Sequence, residues 1–197
     1  MWNSPKLELH LYLKNGDTHK FVQHDPELIR QTLSQINHKV FAQPALLIHG
    51  DDVATAYPGS ALNGIGVVID PVPEELLRLD PHGLMEQISE EDYQFERRRA
   101  APIIEGRPFV MLSEIGFSSG LKLWLKAHVS EAAMGLQERQ MLHNTFAPPT
   151  VVCRRMGGGV SIWNRAQMLS YSFSPKPKTP TNAWPAERQL VVNGMYV

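Results

Sequence analysis

The chain is short of several things, and each shortage removes a class of function. Cys153 is the single cysteine among 197 residues. An internal disulfide framework and a cysteine-based zinc site are therefore both excluded, which fits a reducing compartment. There is no basic surplus: 19 Lys and Arg stand against 20 Asp and Glu. Phosphate neutralisation supplies most of the affinity of nucleic-acid binders, so nucleic acid is an unlikely partner. No stretch approaches about 20 consecutive apolar residues, so no transmembrane helix and no membrane partner are expected. Met1 to His10 has no apolar run, so no signal peptide is expected there, and the expected location is cytoplasmic. No Ser-His-Asp order, paired-carboxylate motif or cofactor fingerprint stands out, and no cofactor is expected.

What remains is an ordinary globular composition, 43% hydrophobic and 20% charged, long enough to bury a sizeable core. Leu7, Leu9, Leu11 and Leu13 alternate with Lys6, Glu8, His10, Tyr12 and Lys14. That period of two marks a half-buried strand. Asn15-Gly16 is a strong hairpin signal. A three-residue loop with a bulge, rather than a two-residue turn, puts Phe21 instead of Lys20 on the core face of the return strand. Asp25-Pro26 opens a helix whose stripe is Leu28, Ile29, Leu33 and Ile36. Short strands follow at Ala45–Ile48, around Val53, Thr55 and Tyr57, and at Ile65–Ile69.

Residues 109–175 repeat this order. Phe109 to Leu112 and Leu121 to Lys126 read as strands, Ser130 as a helix cap, and Val151 to Cys153, Val160 to Ile162 and Tyr171 to Phe173 as further strands. His38, Phe41, Ala42 and Pro44 shift by 105 onto His143, Phe146, Ala147 and Pro149, and Tyr57 and Trp163 precede equivalent breaks. The expected fold is α+β: two tandem β-β-α-β-β(-β) repeats with mostly antiparallel sheets, related by a pseudo-two-fold, plus a helical connector. The expected division is 1–71, first β-rich repeat; 72–108, acidic helical connector; 109–175, second β-rich repeat; and 176–197, a Pro-rich tail with a possible final strand. In the connector, Glu74 to Glu96 holds eight acids and one base, Arg78. Asp80-Pro81 and Ser89 start helices, and Arg97-Arg98-Arg99 closes the second one at the negative end of its dipole.

Candidate sites are few, and each has a plainer alternative. His49 with Asp51 or Asp52 is the best nucleus for a metal site, because turn residues after a strand can converge on an ion; the alternative is a surface turn. Arg97, Arg98 and Arg99, and Arg154 with Arg155, form candidate anion sites, against a solvated helix end and a turn. Tyr12, Trp124 and Trp163 form a candidate exposed aromatic stripe for a protein partner. Cys153 lies in an apolar strand and reads as a buried thiol. Gly157 to Gly159 precedes a strand rather than a helix and lacks the lysine of a phosphate loop, so it reads as a hairpin turn. Ser113-Glu114-Ile115-Gly116, downstream of the three arginines, partly resembles the cyclic-dinucleotide-binding PilZ pattern. Met111 stands where that pattern has an acid or Asn, and nothing is built on it.

The leading functional expectation is a non-catalytic protein-binding or assembly module of a bacterial-type cytoplasm, with a protein partner or self-association. One alternative is a small-ligand protein or enzyme with a pocket between the repeats. Another is an anion or nucleic-acid binder through the arginines.

Overall fold

The computed structural model describes residues 6–50, 53–79, 85–104, 106–130, 148–176, 191–192 and 195–196. The helix expected after Ser130 and residues 143–147 of the second match lie outside the described residues, as does most of the Pro-rich tail.

The N-terminal hairpin follows directly from the leucine alternation. Strands β1 (Leu7–Leu13) and β2 (Thr18–Gln23) pair with Leu9 opposite Phe21 and Leu11 opposite His19. The Leu13 N–H donates to the Asp17 carbonyl at 2.8 Å, which leaves a three-residue loop with Gly16 at φ 94°. Phe21 therefore packs on the leucine face, the face with more apolar area to cover. Helix α1 (Pro26–Gln35) starts where Asp25 accepts from the Glu27 and Leu28 N–H groups, and it buries Ile29. Strands β3 (Leu46–His49) and β4 (Ala54–Tyr57) form a separate two-stranded sheet. A 3-10 turn at Gly59–Ala61 leads into β5 (Leu62–Val68), which returns to pair with β1.

Residues 72–108 differ in part from an all-helical connector. Helix α2 (Glu74–Leu77) is a single turn, and residues 80–84 lie outside the described residues. Met85–Ile88 is a strand, β6, which pairs antiparallel with residues 124–127 of β8 (Lys122–Val129). The i, i+3 spacing of Met85 and Ile88 suggests one face of a helix, but over so short a run it is weak. A run this short has little helical stability of its own, and the β8 edge supplies a ready ladder. Helix α3 (Glu90–Arg99) is capped by Ser89 and closes with three arginines, as its sequence requires.

In the C-terminal half, β7 (Phe109–Phe117) pairs with β8, and β9 (Thr150–Arg154) pairs with β10 (Val160–Asn164). A 3-10 turn at Arg165–Gln167 leads into β11 (Met168–Ser174), which returns to pair with β7. Val191–Val192 (β12) and Met195–Tyr196 (β13) pair with each other at the end. The architecture is α+β and mostly antiparallel. One nine-stranded sheet runs β11-β7-β8-β6-β9-β10-β5-β1-β2, and β6 against β9 is its parallel contact.

Two cores lie on opposite sides of the shared strands. The first joins Leu7, Leu9, Leu11, Ile65, Val67 and Val160 to residues from α1, α2 and the β3–β4 hairpin. The second gathers Ile115, Phe117, Leu123, Leu125, Val151, Cys153 and Trp163. Where β5 meets β10, odd and even positions face different cores. The two halves of the chain join at this seam.

Candidate anion site at the seam

The register across the seam lines up residues that are far apart in sequence. Cys153, Ser161, Gly66, His10 and Lys20 are successive partners across β9, β10, β5, β1 and β2. The next row on the same face is Val151, Trp163, Gly64, Tyr12 and Thr18. The two glycines make room for what lies over them. A Cβ on Gly64 would meet the Trp163 ring at 2.5 Å. One on Gly66 would come within 2.8 Å of Arg155 Nη1 and 3.2 Å of the Tyr12 hydroxyl. Alternating glycines in a strand mark close approach of other groups to the backbone. Here the groups are an indole and a guanidinium.

Arg155 follows β9 and folds back over Gly66. Its Nη2 donates to His10 Nδ1 at 3.2 Å, and its guanidinium lies beside the Tyr12 phenol over the same glycine. A guanidinium only donates, so Nδ1 is the accepting nitrogen and the His10 proton lies on Nε2. Nε2 then donates to Glu8 Oε2 at 3.3 Å. Glu8 in turn pairs with Lys6. Burial holds the His10 pKa below the ordinary histidine range; Arg155 and Lys20 act in the same direction, and Glu8 opposes them. Burial raises the Tyr12 phenol, with Arg155 pulling it back. Tyr12 stacks on Trp163 at 4.8 Å between ring centroids, and Phe117 packs on the indole at 5.3 Å.

This cluster is rich in donors and short of acceptors. Arg155 Nη1, Ser161 Oγ and Trp163 Nε1 are all buried without a hydrogen-bond partner. Among the described residues, no carboxylate pairs with Arg155. Each unmet buried donor costs about 1–3 kcal/mol, and more when charged. A group with only acceptor oxygens would relieve several of these at once. A carboxylate, phosphate or sulfate is such a group.

The other sequence candidates separate. Arg154 and Arg155 alternate to opposite sides of the sheet. Arg154 is exposed and sits opposite Glu86 in the parallel contact, so the two are not a cluster. Arg97, Arg98 and Arg99 are exposed at the end of α3. Arg99 lies 5.0 Å over Phe95 and, with Arg107, lines a cleft of about 280 Å³ floored by Phe109, Val110 and Leu112. Ser113 is buried in β7 on the side of Ile115 and Phe117, away from that cleft. His49 is exposed at the end of β3, and Asp51 and Asp52 lie outside the described residues. Among the described residues, no group of three or more His, Cys, Asp or Glu gathers as a metal site.

The aromatic stripe needs correction. Trp163 is 2% exposed; its ring lies against Gly64, where a side chain would collide with it. Tyr12 is half-buried against it. Trp124 lies on the opposite face of the sheet, paired with Glu114 and Ile88, so the three do not form one surface. His10, Gly66 and Ser161 carried no local motif. The alternation of Gly64 and Gly66 within β5 was the available signal. No family model, curated protein or solved structure matches this chain.

Proposed function

We propose that the chain is a non-catalytic binding module that holds a small oxyanion at the seam between its halves. The observation that carries this reading is the half-buried Arg155: its buried Nη1 and the neighbouring buried Ser161 hydroxyl both lack a hydrogen-bond partner. Buried cations are ordinarily paired. The ligand would be acceptor-only, a carboxylate or a phosphate-type group, seated between Ser161 and His10 over Gly66. Such seams between structural units are common places for ligands.

The scaffold reading belongs with it. Two tandem β-β-α-β-β(-β) units, related by a pseudo-two-fold, would create the seam by placing their hairpins back to back. The matching pairing schemes support this: β5 returns to β1 as β11 returns to β7, and each return follows a 3-10 turn after an aromatic residue.

Titrating the ¹⁵N-labelled protein with phosphate, sulfate and acetate tests the site. Amide shifts should concentrate at His10, Gly66 and Ser161, and Arg155→Gln should abolish them. Scattered shifts, or none, would end the proposal. A protein-binding or self-associating module is the second reading, favoured by Leu169, which is 74% exposed on the edge strand β11. Unprotected edges invite pairing. A strictly monomeric species in light scattering at high concentration would count against it.

A further inference from the structure

Resting on that anion-binding reading, we infer that the site takes up a proton together with its ligand: His10 becomes charged as a doubly charged oxyanion binds, so phosphate- and sulfate-type groups are held more tightly as pH falls.

The argument starts from the two bonds His10 makes. Nδ1 accepts from Arg155 and Nε2 donates to Glu8, so the ring is neutral while Arg155 leans on it. A proton on Nδ1 would set two donors against each other at 3.2 Å. That conflict disappears once the guanidinium has an anion to turn to. The same anion then faces the imidazolium from one side while Glu8 faces it from the other.

The surrounding charges favour this exchange. From its own strand His10 meets Glu8, whose carboxylate also holds Lys6. Lys20 stands opposite on β2, and Arg155 reaches in from the β9–β10 turn. Tyr12, the Cys153 thiol and, farther along, Tyr171 also lie on this face. Two cations and burial thus oppose protonation, and a single carboxylate supports it. A monoanion offsets one of the two cations; a dianion offsets both. The row Lys20–His10–Arg155 therefore favours the doubly charged ligand. Linkage makes the effect reciprocal: an anion that raises the His10 pKa must bind more tightly to the protonated site by the same factor.

Sulfate is the probe, because its own charge is constant across the histidine range. Calorimetry of sulfate binding in two buffers of different ionisation enthalpy should report uptake of up to one proton. Affinity should fall by up to about tenfold per pH unit on rising through the histidine range. Acetate should show less uptake. His10→Gln should remove the pH dependence. If that variant fails to fold, the His10 ring shift in the intact protein, titrated with and without sulfate, gives the same answer: its pKa should rise on binding. Sulfate binding without proton uptake or pKa change overturns this inference and leaves the anion site standing. Failure of sulfate, phosphate and acetate alike to bind overturns both.

Discussion

The two halves of the chain share a wiring plan and use it differently. In each, the first strand pairs with the second and with the last, and an inner hairpin forms on its own. The inner hairpin is where they part. In the N-terminal half, β3 and β4 alternate or expose their side chains, with Leu47 63% exposed, and they stay outside the main sheet. In the C-terminal half, β9 is buried from Thr150 to Cys153 and β10 along its whole length, and they stand between β6 and β5. A strand buried on both faces reads as a continuous run rather than an alternation. Val151-Val152-Cys153 is such a run, and Leu46-Leu47-Ile48-His49 is not covered on both sides. The first hairpin thus stays at the surface, and the second forms the seam over which Arg155 folds.

The largest test of that contrast is the aromatic residue before each 3-10 turn. Trp163 is 2% exposed, stacked on Tyr12 and packed by Phe117. Tyr57 is 7% exposed, bonded through its hydroxyl to His19 at 2.7 Å, with Phe21 beside it. Trp163→Ala should cost about 3–5 kcal/mol in urea denaturation, and Tyr57→Ala about 2. Equal costs would mean that the N-terminal hairpin carries as much of the fold as the seam does.

Next is Asn164, which ties the halves together. Its side-chain amide donates to the Gly59 carbonyl at 3.2 Å and the Leu62 carbonyl at 3.0 Å, and its Oδ1 accepts from the Ala166 N–H. Asn164→Ala strands buried acceptors in the other half and should cost about 1–3 kcal/mol. A loss much below that range would show that water replaces the bridge and that the seam is less closed than its burial implies.

How much of this was legible beforehand depended on whether the signal was local. The leucine alternation of β1, the loop length set by Phe21, the Asp25 cap and the Ser89 cap all come from neighbours within a few residues, and the structure follows them. Strand β6 is not legible locally, because the spacing of Met85 and Ile88 suggests a helix and the distant β8 edge decides otherwise. The pairing of β5 with β10 joins residues almost a hundred apart, and nothing near Ile65 announces Ile162. The site suffered the same way. Arg155 was visible as a cation, but its placement needed Gly66, His10 and Ser161, which only the long-range register assembles. Trp163 was read as exposed because the glycine that receives it lies on another strand.

A smaller effect concerns acid. Burial keeps His10 neutral in the folded chain at a pKa below its ordinary value, near 6.5 in the unfolded chain. Between those two values the unfolded chain binds the extra proton, so stability rises with pH. This contribution is complete above about pH 6.5 and is lost as pH falls through the folded-state pKa. Chemical denaturation of the ligand-free protein across that window should show the decline, and His10→Gln should flatten it. An unchanged slope would place the acid sensitivity elsewhere than at the seam.

The smallest expected effect is in the other hairpin. Leu47 on β3 faces solvent, and its neighbours across the two-stranded sheet, Ala56 and the adjoining Thr55, are exposed as well. Leu47→Ser should change stability by no more than about 0.5 kcal/mol. Val152→Ala, in the β9–β10 hairpin, should cost about 2 kcal/mol, because it removes two methyl groups from a residue 4% exposed and leaves a gap. Both variants keep the backbone ladders intact, so the difference isolates side-chain burial. If Leu47→Ser were as costly as Val152→Ala, β3 and β4 would be covered in solution by something that binds them, and the N-terminal hairpin rather than the seam would be the surface to pursue.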